Sequence, residues 1–223
     1  MSNIRKKYIF VTTSLINCIG KEKREHQYNN CIQTLIDLNL HKKYTIIIIE
    51  NNGKRETTLD KYCNFENINV FYTNNNNYNG NRLLEKNPNY GIVEFIDIID
   101  CIKEYNINDN DFIIKLSGRY YLNQNNQFFK IVDNLDDKYN GVIKYGPYMN
   151  PVDYQCNDCV TGLIGYTAFY LKKIFPKILN SINLIPCVEH IWADLTIPKE
   201  EIYIIKGEIG IYICPSGFQY TLI

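Results

Sequence analysis

Two cations four residues apart stand out in the segment Lys115-Leu116-Ser117-Gly118-Arg119-Tyr120-Tyr121. The Ser-Gly pair between them permits a tight turn, and a glycine lets backbone come close to a ligand. At the end of a strand, Lys115 and Arg119 suit a diphosphate gripped from two sides by charge-assisted hydrogen bonds. The same residues also fit a surface turn whose two long side chains are merely solvated. Other hydrogen-bonding groups follow apolar runs elsewhere: Thr12-Thr13-Ser14, Glu50-Asn51-Asn52, and Thr73 with the asparagines after it. These residues make one site only if the fold gathers the strand ends.

The surrounding pattern predicts such a fold. Tyr8 to Thr13 reads as a first strand, and Tyr28, Cys31, Ile32, Leu35 and Ile36 recur at helical spacing. Tyr44 to Ile49 is an uninterrupted apolar run closed by Asn52-Gly53, the signature of a central parallel strand buried on both faces. Ile68 to Tyr72 predicts a third strand, and Thr73 to Tyr90 a long polar connection carrying Gly80, Arg82 and Pro88. Ile92, Phe95, Ile96, Ile99 and Ile102 mark a helix, and Phe112-Ile113-Ile114 a fourth strand. Alternating strands and helices predict an α/β fold, a mostly parallel sheet flanked by helices. In such a sheet, ligands bind beyond the carboxyl ends of the strands. Beyond Gly141 the expected strands at Val142 to Tyr145 and Thr161 to Tyr166, with helices over Phe169 to Leu179 and Val188 to Leu195, suggest a mixed α+β lobe without a linker.

Composition narrows the classes. The chain has 223 residues, with 24 basic and 24 acidic side chains. A neutral chain has no bulk attraction for nucleic acid or an anionic membrane, so neither is expected as a partner. No apolar run approaches the roughly 20 residues of a spanning helix, and Thr12-Thr13-Ser14 interrupts the one N-terminal stretch resembling a signal peptide. The eight cysteines form no disulfide framework and read as free thiols, so a cytoplasmic protein is expected. The excess of Asn, Ile, Lys and Tyr reads as base composition. There is no G-x-G-x-x-G after the first strand and no G-x-x-x-x-G-K-[ST], which argues against dinucleotide dehydrogenases and P-loop enzymes.

Five segments in order carry a resemblance: Phe10-Val11-Thr12-Thr13-Ser14, Ile48-Ile49-Glu50-Asn51-Asn52, Phe71-Tyr72-Thr73-Asn74-Asn75, Gly91-Ile92-Val93-Glu94-Phe95 and Lys115-Leu116-Ser117-Gly118-Arg119-Tyr120. Together the chain resembles small GT-A-fold glycosyltransferase-like proteins of giant DNA viruses and bacterial polysaccharide loci. The resemblance implies one GT-A-like, Rossmann-like domain over 1–223, with a nucleotide-sugar-binding half (1–122) and an acceptor-binding half (123–223). It implies a nucleoside-diphosphate sugar donor and a glycan or glycoprotein acceptor. Thr12 and Thr13 would lie beside the nucleoside, and Glu50 would bond the base or ribose. Asn51, Asn52 and Ser117 would complete the donor site, and the helix start at Gly91 would face the phosphates or sugar. A non-catalytic glycan- or nucleotide-binding module with the same fold is the alternative.

One departure bears on metal. The family usually places Asp-x-Asp after the fourth strand to hold Mn²⁺ or Mg²⁺; here Lys115 to Arg119 occupy that place. Asp109-Asn110-Asp111 matches by letter but precedes the strand. The expectation is transfer without a metal, with Lys115 and Arg119 neutralising the leaving diphosphate; Mn²⁺ or Mg²⁺ remains the alternative. For a base, Glu189 is the leading candidate, beside Trp192 as a sugar-stacking surface, with His190 and Asp194 next and Asp153 and Asp158 after them. The other reading of this helix has Glu189 complementing its dipole and Trp192 in the core. Cys156-Asn157-Asp158-Cys159 lacks a second pair and reads as two ordinary thiols.

Overall fold

A computed structural model of the chain describes residues 5–15, 21–76, 90–145, 159–181, 188–196, 200–213 and 221–223. The expectations for Gly80, Arg82, Pro88, Asp153, Cys156 and Asp158 lie outside the described residues. In chain order the elements are β1 (Lys7–Thr13), α1 (Lys21–Asp37), β2 (Thr45–Glu50), β3 (Ile68–Tyr72), α2 (Tyr90–Glu104), β4 (Phe112–Ser117) and β5 (Tyr121–Leu122). Then come α3 (Gln127–Asp133), β6 (Gly141–Ile143), β7 (Leu163–Thr167), α4 (Ala168–Ser181), α5 (Val188–Thr196), β8 (Ile202–Ile204), β9 (Ile211–Ile213) and β10 (Thr221–Leu222). No described helix is long and apolar enough to cross a membrane.

Seven strands form one sheet in the order β3-β2-β1-β4-β7-β6-β8. The first four are parallel; β7 is antiparallel to both of its neighbours, and β8 runs parallel to β6. Of the strands after β5, β6, β7 and β8 extend the same sheet, while β9 and β10 join β5 in a second, small sheet. Asp111, just before β4, accepts from the Lys6 N–H, and Asp109 pairs with Lys172 at 2.7 Å. The Asp-x-Asp lookalike thus sits at the amino edge of the sheet, as its place in the sequence predicts.

Strand period explains the core. In β2, Ile46 and Ile48 face a cluster packed by α1 and α3, while Ile47 and Ile49 face one packed by α2, α4 and α5. All four are fully buried, and each such side chain contributes about 2 kcal/mol of transfer free energy. Helix α1 inserts Tyr28, Cys31, Ile32 and Leu35 on the first face, as their spacing predicts. On the second face the strands align Phe10, Lys115 and Ile164 in one row. A lysine thus stands where the alternation calls for an apolar residue.

Candidate functional site

The chain passes from β1 to β2 on one side of β1 and later enters β4 on the other. The order of connection therefore reverses between β1 and β4, and a crevice opens where their carboxyl ends diverge. The cavity there measures about 50 Å³. Of the expected donor-site residues, Thr12, Thr13, Asn51, Ser117 and Arg119 line it, together with Gly118 and, from the amino-terminal part of α2, Val93 and Glu94. Thr12 is 5% exposed, and its Oγ1 has no hydrogen-bond partner among the described residues. A buried hydroxyl left in that state costs about 1–3 kcal/mol unless something entering the crevice satisfies it.

The loops after β2 and β3 are wired together by the strand-end asparagines. Asn76 Nδ2 donates to Ser14 Oγ at 2.9 Å and to Asn52 Oδ1 at 3.0 Å, and Asn52 Nδ2 donates to Ser14 Oγ at 3.2 Å. Asn51 Nδ2 reaches Asp97 Oδ2 at 3.1 Å. Asp97 is buried in α2, and burial lifts its carboxyl to about 6, partly countered by hydrogen bonds from Thr73, Asn75 and Asn51.

Glu50 differs from its expected role. It is fully buried, and its carboxylate accepts from Thr13 Oγ1 at 2.8 Å, the Leu15 N–H at 3.1 Å, Asn52 Nδ2, and Arg55 Nη2 at 3.3 Å. Those donors take up the lone pairs that a base or ribose would need. Glu50 instead braces the turn after β1, and the Thr13 hydroxyl lies between that carboxylate at 2.8 Å and the Ile49 carbonyl at 3.0 Å.

Lys115 differs likewise. It is 4% exposed, and its three N–H groups meet Ser117 Oγ at 2.8 Å, the Thr161 carbonyl at 2.8 Å and Glu94 Oε2 at 2.6 Å. With all three engaged inside the protein, it does not grip a diphosphate from the crevice; Arg119 remains as the crevice-lining cation. Gly118 serves chain packing: its N–H donates to the Thr12 carbonyl at 2.9 Å, and a Cβ would meet that oxygen at 2.8 Å.

The structure also corrects the acceptor surface. Trp192 is fully buried, stacked on Phe95 at 4.4 Å, with Nε1 donating to Tyr166 Oη at 3.1 Å. It offers no face to a sugar and belongs to the core. His190 and Asp194, four residues apart on α5, are exposed and do not line the crevice. Glu189 is half-buried in the first turn of α5, and its Oε1 accepts from Thr161 Oγ1 at 3.1 Å. The buried Tyr120 feels Arg119, Glu94 and Glu189 together; burial first, then those carboxylates, raise its phenol above the ordinary range while Arg119 opposes them. Glu189 lies against Thr161, just before β7, and is not among the residues lining the crevice. Gly91 lies at the start of α2.

This is the sheet order and switch point of a Rossmann-like α/β fold. Among solved structures, the chain is similar to a glycosyltransferase involved in glycosylation of the major capsid of PBCV-1, at TM-score 0.53 and 10% identity over 89% of this chain and 81% of that one. It is similar also to S. aureus TarS 1-349 in complex with UDP-GlcNAc, at TM-score 0.56 and 11% identity over 93% of this chain. The fold is GT-A-like. The chain spans 58% of that TarS fragment and 38% of a longer TarS chain. No protein-family model matches the sequence, and no curated protein does.

GT-A-like folds commonly imply a divalent ion at the end of β4. There this chain presents a hydroxyl, a glycine and a guanidinium, whereas Mn²⁺ and Mg²⁺ take oxygen ligands, carboxylates foremost. Among the described residues no group of three His, Cys, Asp or Glu could hold a metal. The residues at that place do not fit the ion.

Glu94, Thr161 and Asp97 were not singled out from the sequence. Asp97 carries a signal in hindsight, since it interrupts Phe95-Ile96-Asp97-Ile98-Ile99, an otherwise apolar stretch.

Proposed function

We propose that the chain is a glycosyltransferase that moves a sugar from a nucleoside diphosphate to a hydroxyl of a glycan or glycoprotein acceptor. The observation that carries this reading is the crevice at the β1/β4 switch point, where the unpartnered Thr12 hydroxyl, Ser117 and Arg119 line one cavity. The named PBCV-1 and TarS relatives in fold support it, and the TarS complex makes a UDP-sugar the first donor to test.

In this reading the nucleotide lies along Thr12, Asn51 and Ser117, and Arg119 holds the diphosphate. The bond between the anomeric carbon and the β-phosphate oxygen breaks, and its electron pair leaves with the nucleoside diphosphate. Arg119 and the N-terminal N–H groups of α2 neutralise that charge. The acceptor oxygen bonds the anomeric carbon, and its proton passes to the Glu189 carboxylate. Residues 1–122 serve the donor and 123–223 the acceptor, and no ion at the end of β4 takes part.

Incubating the purified protein with UDP-, GDP- and dTDP-sugars, with Mn²⁺ or with chelator, tests this. Sugar release or transfer is expected with one donor class in both conditions. Nucleotide binding without turnover of any donor would favour a non-catalytic binding module. Activity lost to chelator and restored by Mn²⁺ would refute the metal-free part alone.

A further inference from the structure

Lys115 is a buried cation between two carboxylate-bearing elements. On one side its Nζ lies 2.6 Å from Glu94 Oε2, near the amino end of α2. On the other it donates at 2.8 Å to the carbonyl of Thr161, whose Oγ1 in turn donates at 3.1 Å to Glu189 Oε1. Ser117 Oγ, at 2.8 Å, ties the same ammonium to the end of β4. One charge thus fixes the crevice wall, the floor and the residue that orients Glu189. Burying an ammonium is costly unless it is paired and fully hydrogen-bonded, and a methionine would fill the row between Phe10 and Ile164 without that cost. The lysine therefore does something other than fill space.

Resting on the glycosyltransferase reading, we infer that Lys115 is a positioning residue, setting Glu94 and, through Thr161, Glu189 against the donor without touching the donor itself. Its effect then appears in turnover rather than in donor affinity, and it is shared with the residues through which it acts.

The test uses the full chain and UDP-sugar turnover and binding. Lys115→Met is expected to lower kcat by about tenfold or more while donor Kd stays within about twofold, Glu94→Gln to lower kcat at least as far, and the double variant falls no further than the weaker single. Thr161→Val, which keeps the carbonyl but removes the hydroxyl, is expected to lower kcat in the same sense and keeps the test valid if Lys115→Met does not fold. Restoration of part of the rate by Lys115→Arg would support a positioning charge. A Kd weakened tenfold or more by Lys115→Met would show direct donor contact and overturn the inference. So would additive losses in the double variant, or an unchanged kcat in Thr161→Val. If the unmodified chain turns over no donor, the glycosyltransferase reading fails first; if it does and these variants match it, only the inference fails.

Discussion

Asp97 Oδ1 accepts a 2.6 Å hydrogen bond from Thr73 Oγ1, tying the middle of α2 to the residue that follows β3. Asn75 adds a bond to the same oxygen at 2.8 Å and Asn51 one to Oδ2 at 3.1 Å, so a single carboxyl holds the chain after two strands. Burial raises it from an ordinary 3.8 to about 6 in the folded protein. Below about pH 4 both folded and unfolded chains hold the proton. Between there and about pH 6 only the folded chain does, so this stabilising contribution is lost as pH rises through about 6. A difference of about two pKa units corresponds to about 3 kcal/mol. Urea midpoints of the wild type and Asp97→Asn from pH 4 to 7.5 should therefore diverge, the wild type losing more stability on the way up. Parallel curves would contradict the assignment.

Gly118 stands where β4 closes against β1. A Cβ would lie 2.8 Å from the Thr12 carbonyl and 2.9 Å from the Tyr28 ring, and the first of these is backbone that cannot swing aside. Gly118→Ala is expected to cost about 1–3 kcal/mol through overpacking, read as a lower urea midpoint. A variant as stable as the wild type would mean the strand ends spread without penalty.

Thr12 separates stability from binding. Its Oγ1 makes no bond among the described residues, so Thr12→Val should leave stability unchanged or raise it by about 1 kcal/mol. If a donor hydroxyl or phosphate satisfies that oxygen, the same variant weakens UDP-sugar binding by about fivefold or more. Calorimetry on both proteins decides it; equal affinities would remove Thr12 from the donor site.

Much of the sheet was legible because its signals are local. The Ile run of β2, closed by Asn52-Gly53, reads as a strand buried on both faces, and the bounds of β3 match the expected strand Ile68 to Tyr72. The role of Lys115 was not legible because the pattern ended β4 at Ile114, whereas the strand runs to Ser117. Extending the alternation three residues puts Lys115 among Phe10 and Ile164, a consequence of pairing with strands far away in sequence. The short strands β5, β8, β9 and β10, of two or three residues each, carry too few residues to show a period. The asparagine excess, read as base composition, has physical uses as well: Asn39, Asn67 and Asn106 hold positive φ at turns, which asparagine tolerates better than other non-glycine residues.

Trp192 sits at the i+4 position from Val188 with Ile191 between, an apolar stripe that packs inward. Trp192→Phe removes the hydrogen bond to Tyr166 and part of the stack on Phe95. It is expected to lower stability by about 2 kcal/mol and to leave acceptor KM within about twofold in the transfer assay. A large rise in acceptor KM with stability unchanged would restore the sugar-stacking role.

Glu189 is the base in the proposed transfer. It enters from α5, half-buried, and its Oε1 accepts from the Thr161 hydroxyl at 3.1 Å. Glu189→Gln preserves shape and can keep the contact with Thr161 while losing basicity. Because the general base acts in the transition state and not on the bound donor, kcat for transfer should fall by about 100-fold or more. Donor Kd should hardly move. His190 and Asp194, exposed on the far side of the same helix, should tolerate substitution by alanine at near-normal rates. Transfer by Glu189→Gln at close to the wild-type rate would exclude it as the base and direct attention to Glu94, the other carboxylate beside Tyr120.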